Sequence, residues 1–177
     1  MCNMGETYKV VVTGTFNVGK TEFVRTISDI PIVSTEKRIT DDLASTKEET
    51  TVAMDYGHVR IGDDLFHLYG TPGQPRFDFM WDILAKEMHA FILLVDSSTP
   101  EGLLSAKQLI RIFNHKSDVP FMVVANKRDK HGILSIEEIS RRLGLEDGPP
   151  VLSCVAIDKT SVHSVLEKLQ HLLHKSS

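Results

Sequence analysis

Residues 14–21 read Gly14-Thr15-Phe16-Asn17-Val18-Gly19-Lys20-Thr21, which fits the pattern G-x-x-x-x-G-K-[ST]. The pattern carries meaning only with a strand before it and a helix after it. Both are in place. Tyr8-Lys9-Val10-Val11-Val12-Thr13 suits a buried strand, and Glu22-Phe23-Val24-Arg25-Thr26-Ile27 has helical spacing. A chance glycine turn would match the letters, but the flanks select a phosphate-binding loop. Its glycines let the backbone approach a polyphosphate, and several N–H groups plus a helix N-terminus face the anion. Lys20 is then placed for the β- and γ-phosphates, and the Thr21 hydroxyl for Mg²⁺.

From there strands and helices alternate, which argues for parallel β-α-β units. Val52–Ile61 and Leu65–Tyr69 read as strands joined by a hairpin turn at Gly62-Asp63-Asp64. His89–Val95, Pro120–Ala125 and Val151–Ala156 read as buried strands. Helices are expected over Arg76–Met88, from Gly102 to about Asn114, from Ser135 to near Gly144, and over Ser161–His174. The expected fold is α/β: six strands, mostly parallel with one antiparallel, and five flanking helices. At 177 residues the chain is expected to be one domain, 1–177. Ile30–Glu49 lacks periodicity and reads as a long mobile loop with a short helix around Asp41–Ser45.

Two further motifs sit at the ends of predicted strands. Asn126-Lys127-Arg128-Asp129 fits N-K-x-D. A carboxylate at Asp129 can accept from both N1–H and the N2 amine of guanine, a donor pair that adenine lacks. Asn126 can bond the base and tie the base loop to the phosphate loop, and the Lys127 stem can lie over the base. Gly70-Thr71-Pro72-Gly73-Gln74 closes the Leu65–Tyr69 strand where a γ-phosphate would lie. There the Gly73 N–H could bond that phosphate and Gln74 could orient an attacking water.

In this order and spacing the three motifs resemble a small Ras-like GTPase, a P-loop NTPase G domain, from about Tyr8 to Leu173. Gly70–Phe77 resembles the Rab-type D-T-A-G-Q-E-R-F. Thr51-Val52-Ala53-Met54-Asp55-Tyr56 resembles T-I-G-V-D-F. The resemblance implies that Thr51, with Thr50 as the alternate, joins Thr21 on Mg²⁺, and that residues 30–50 form an extended switch I. Val155-Ala156-Ile157 lies where the family has S-A-K, which implies that the Ala156 N–H faces guanine O6. The implied cofactors are GTP/GDP and Mg²⁺.

Three departures stand out. Gly70 occupies the place of an aspartate that usually supports Mg²⁺ through water. Phe16 and Asn17 fill P-loop positions that are small in Ras, and the segment from Lys20 to Thr51 is long. Together they resemble the prokaryotic branch of the gliding-motility GTPase MglA and the Rup-type proteins. That likeness implies a roadblock-type (MglB-like) regulator and protein effectors at the switches. With Arg76 the best candidate for an intrinsic positive charge, hydrolysis is expected to be slow. A GTP-dependent adaptor that hydrolyses little is the alternative, favoured by Gly70 and Phe16.

Composition narrows the partners. A net charge of −4 gives no electrostatic footprint for nucleic acid or an acidic membrane. Two cysteines, Cys2 and Cys154, form no disulfide framework, which fits a reducing, cytoplasmic setting. Neither a membrane-length apolar run nor a lipidation motif is read in the sequence, so no direct membrane anchor is expected. His163, His171 and His174 on the last helix suit its C-terminal dipole better than a metal site.

Overall fold

The computed structural model describes residues 4–41, 48–71 and 80–177, with backbone only at 35–41, 48–53, 80–83 and 116. Its centre is β1 (Thr7–Gly14), whose valines are wholly buried because both faces of the strand are covered. β1 pairs in parallel with β4 (Asp64–Gly70) on one side and with β5 (Ala90–Asp96) on the other. Beyond β5 lie β6 (Phe121–Asn126) and a short β7 (Val151–Ser153), both parallel. Beyond β4 lie β3 (Glu48–Ile61) and β2 (Val33–Asp41), giving the order β2-β3-β4-β1-β5-β6-β7. β3 is antiparallel to both of its neighbours, so it alone runs against the rest.

The alternation of side chains along the strands builds two cores. Val10, Val12, Phe66, Leu68, Ile92 and Leu94 face α1 (Lys20–Ile27) and α5 (Lys159–Ser176). Val11, Phe91, Leu93, Val95 and Val123 face α2 (Met80–Glu87), α3 (Gly102–Lys116) and α4 (Ile136–Leu143). Those are the five expected helices among the described residues.

Three expectations need correction. The sheet has seven strands, because Val33–Asp41 is β2 where the sequence reads as loop. The segment Val33-Ser34-Thr35-Glu36-Lys37-Arg38-Ile39-Thr40-Asp41 is polar, and an edge strand needs no buried apolar face to pair. The helix expected at Asp41–Ser45 falls almost wholly on 42–47, outside the described residues, and Asp41 itself ends β2. Secondly, Asp64 is not part of the turn. It pairs with Ile61 across a two-residue Gly62-Asp63 turn and opens β4, buried. The β7 strand also stops at Ser153, short of the expected Ala156.

Candidate functional site

In open parallel sheets, ligands bind beyond the carboxyl ends of the strands. Gly14, Asp96 and Asn126 close β1, β5 and β6 at that edge, with Asp96 directly opposite Asn126 in the ladder. Thr15–Gly19 is the loop from β1 into α1, and Lys20 and Thr21 are the first residues of that helix. Gly19 is required twice over. Its φ of +101° lies in the left-handed region, and a Cβ there would sit 2.5 Å from the Asn126 Nδ2.

Asn126 is the clamp of the site. Its Nδ2 donates to the Val18 carbonyl at 2.9 Å, and its Oδ1 accepts from the Ala156 N–H at 2.8 Å. One buried side chain therefore joins the phosphate loop, the end of β6 and the loop after β7. Buried amide atoms need such partners, and here both polar ends have one. The Ala156 N–H, expected to face guanine O6, donates here to Asn126. The neighbouring Val155 N–H donates to Ser161 Oγ at 2.9 Å, while Ile157 is 70% exposed.

Lys127 ties the same loops a second time. Its Nζ donates to the Asn17 carbonyl at 2.9 Å and to Asp96 Oδ2 at 2.6 Å. Burial alone would raise the Asp96 carboxyl, but hydrogen bonds from Lys127 and Ser98 hold it below the usual carboxylate range. Asn17 and Lys127 both have left-handed φ, +63° and +62°, uncommon for residues with a side chain. These two facing loops are over-determined by their mutual bonds, as strained functional backbone requires. Asp129 is exposed in the turn after them.

Lys20 is buried, with Nζ donating to the Gly14 and Thr15 carbonyls at 3.0 and 2.7 Å. Burial pushes its pKa down to about 8, against the opposing pull of Asp55. The Thr21 hydroxyl donates to Asp55 Oδ2 at 2.6 Å. Asn17, Lys20, Thr21, Asp55, Gly70 and Thr71 line a cleft of about 400 Å³, and Phe16 stands at its rim, 82% exposed. A hydroxyl, a carboxylate, a lysine and glycine-rich backbone form a donor set that fits a polyphosphate with a hard cation.

Four of the predicted site residues fall wholly or partly outside the description. Thr51 lies in β3 opposite Arg38, and its side chain is outside the description. Gly73, Gln74 and Arg76 lie outside the described residues, as does the start of the helix expected over Arg76–Met88. Two residues were missed. Asp96 could have been found as the polar end of the Phe91–Val95 run beside the β6 end. Asp55 could have been found from the hairpin, because a two-residue turn at Gly62-Asp63 sets Asp55 opposite Gly70.

Comparison with known proteins decides the family. Residues 1–174 match the ADP-ribosylation factor family. The chain belongs to that family. It is therefore a P-loop G domain of the small-GTPase kind, consistent with a nucleotide-binding molecular switch. Among relatives of this ADP-ribosylation factor family chain, an uncharacterized protein of Methanocaldococcus jannaschii is 32% identical over 122 residues, spanning 68% of this chain and 70% of that one. ADP-ribosylation factor-related protein 1 of Bos taurus is 30% identical over 138 residues, 75% of this chain and 65% of its own length. The solved structure of the Arl6 BBS3 small GTPase of Trypanosoma brucei, with bound nucleotide analogue GppNp, shares the fold. Its TM-score is 0.73 at 22% identity, over 97% of this chain and 99% of that one. No helix among the described residues is long and apolar enough to cross a membrane.

Proposed function

We propose that this chain binds GTP and GDP with Mg²⁺ and hydrolyses GTP slowly to GDP and phosphate, as a cytoplasmic switch. The observation that carries the reading is the Asn126 clamp, which ties the phosphate loop to the end of β6 and the loop after β7. A guanine held by Asp129 and a triphosphate held by residues 14–21 then belong to one ligand. Lys20 offers its ammonium to the β- and γ-phosphates, while Thr21 and Thr51 are the residues for the metal. Mg²⁺ supplies charge neutralisation of the β- and γ-oxygens. Gln74 holds the attacking water in line, the Gly73 N–H faces the γ-phosphate, and Arg76 offers a positive charge. Residues 30–50 form the extended switch I. Order in the two switches distinguishes the GTP from the GDP state.

Within the family we place the chain with the prokaryotic MglA/Rup-like branch, on Gly70, Phe16 and the Thr71-Pro72-Gly73-Gln74 string. A roadblock-type, MglB-like regulator and protein effectors are the corresponding partners at the switches. The second reading, a GTP-dependent adaptor with little hydrolysis, is favoured by Gly70 and by exposed Phe16 at the cleft rim.

Single-turnover GTP hydrolysis by the purified protein separates the two readings, with Gln74→Ala alongside. Unassisted turnover is expected well below about one per second, slowed roughly tenfold or more by the substitution. Turnover unaffected by Gln74→Ala would move the adaptor reading to the front. Faster unassisted turnover would contradict the slow timer.

A further inference from the structure

Gly70 ends β4 beside the phosphate loop, at the place where this class of site usually carries a carboxylate. Directly across the ladder is Asp55 of β3. Residues opposite each other in an antiparallel pair project to the same face of the sheet. A Cβ built on Gly70 would lie 3.4 Å from the Asp55 Cβ and 3.8 Å from the Val24 Cγ2. Gly70 is thus open on the side that Asp55 fills. The Asp55 carboxylate reaches from there to Thr21, whose Oγ1 donates to Oδ2 at 2.6 Å. Its negative charge is also felt by Lys20.

We propose that Asp55 is the magnesium-supporting carboxylate of this chain, relocated by one strand from β4 to β3, directly across the ladder from Gly70. The inference rests on the nucleotide reading above. By accepting the Thr21 hydrogen, Asp55 orients that hydroxyl so that its lone pairs are free for a cation. Carboxylates standing behind a metal ligand in this way orient it and raise its basicity, and removing one typically weakens metal binding by about 10- to 100-fold. A carboxylate on β3 also connects the metal site to the strand that carries Thr51, so the two candidate metal residues of the hairpin are four positions apart on one element.

The test is the dissociation rate of fluorescent GDP from the full chain, measured across a Mg²⁺ titration and in EDTA. Wild type, Asp55→Asn and the exchange Asp55→Gly/Gly70→Asp are compared. If wild type binds no GDP, the nucleotide reading itself fails and this inference with it. If it binds, Asp55→Asn is expected to need roughly tenfold more Mg²⁺ to slow dissociation, with little change in EDTA. The exchange should restore the Mg²⁺ requirement to near wild type. An unchanged Mg²⁺ requirement in Asp55→Asn would overturn the inference. So would a rate altered equally with and without Mg²⁺, since a carboxylate that merely props up Thr21 would act that way. Should the exchange variant fail to fold, the comparison of Mg²⁺ with EDTA in Asp55→Asn decides alone.

Discussion

Asp64 shows how a single residue can be misread from local sequence. Beside Gly62 and Asp63 it looks like turn chemistry, yet it is buried and fully engaged. Its Oδ1 accepts from the Glu6 N–H at 2.8 Å, and Oδ2 accepts from Gln170 Nε2 at 2.7 Å and pairs with His174 Nε2 at 2.8 Å. Burial alone would raise this carboxyl, but the bonds from Gln170, Glu6 and His174 hold it below the usual range. A depressed carboxyl contributes stability above its unfolded pKa of about 3.9, and the contribution is lost as pH falls through the folded value. Asp64→Asn should therefore cost about 1–3 kcal/mol at neutral pH. Urea midpoints taken down an acid series should show the gap to wild type closing below about pH 3.9. A gap that stays constant with pH would contradict this account. His174 reads locally as a helix-dipole residue because its Asp64 partner lies 110 residues away. Asn126, by contrast, was legible as a tie to the phosphate loop, since its motif and the end of its strand are both local signals.

Elements with their own punctuation were read well. α4 starts at Ser135, whose Oγ accepts from the Glu138 N–H at 3.1 Å, and ends at Gly144 with φ +72°. Both residues announce a helix boundary because each satisfies orphaned backbone groups or supplies a left-handed cap. A Cβ on Gly144 would meet nothing within 4 Å, so Gly144→Ala tests conformation without crowding. The expected cost is about 1–2 kcal/mol in urea unfolding. No measurable loss would mean that the cap conformation relaxes freely. β2 was unreadable for the opposite reason. At the sheet edge its pairing comes from β3 backbone, and a polar edge strand shows no hydrophobic alternation in the sequence. β7 was over-extended because Cys154 and Ala156 are buried like strand residues, although they sit in the loop that meets Asn126. Burial pushes the Cys154 thiol up to about 11, consistent with a packing role in the core.

At the scale of the whole molecule, two cores around one sheet hold three loops at one edge, and the family match accounts for nearly the entire length. The central strands were legible because burial on both faces leaves continuous apolar runs. The cleft was legible as three motifs, two of them joined by the Asn126 tie. The bond from Lys127 to Asn17 was not, since it spans 110 residues and follows no local pattern. The relocated Asp55 needed the strand register.

The central claim is that this edge binds guanine nucleotide through one cleft with two walls. Equilibrium binding of fluorescent GDP and ADP, with Mg²⁺, tests it most directly when Asp129→Ala is measured beside wild type. The account predicts that wild type prefers GDP by roughly a hundredfold or more, because adenine leaves the Asp129 carboxylate without its two donors. It also predicts that Asp129→Ala removes most of that preference while leaving the fold intact. Equal affinity for the two nucleotides in wild type, or a preference untouched by Asp129→Ala, would contradict it.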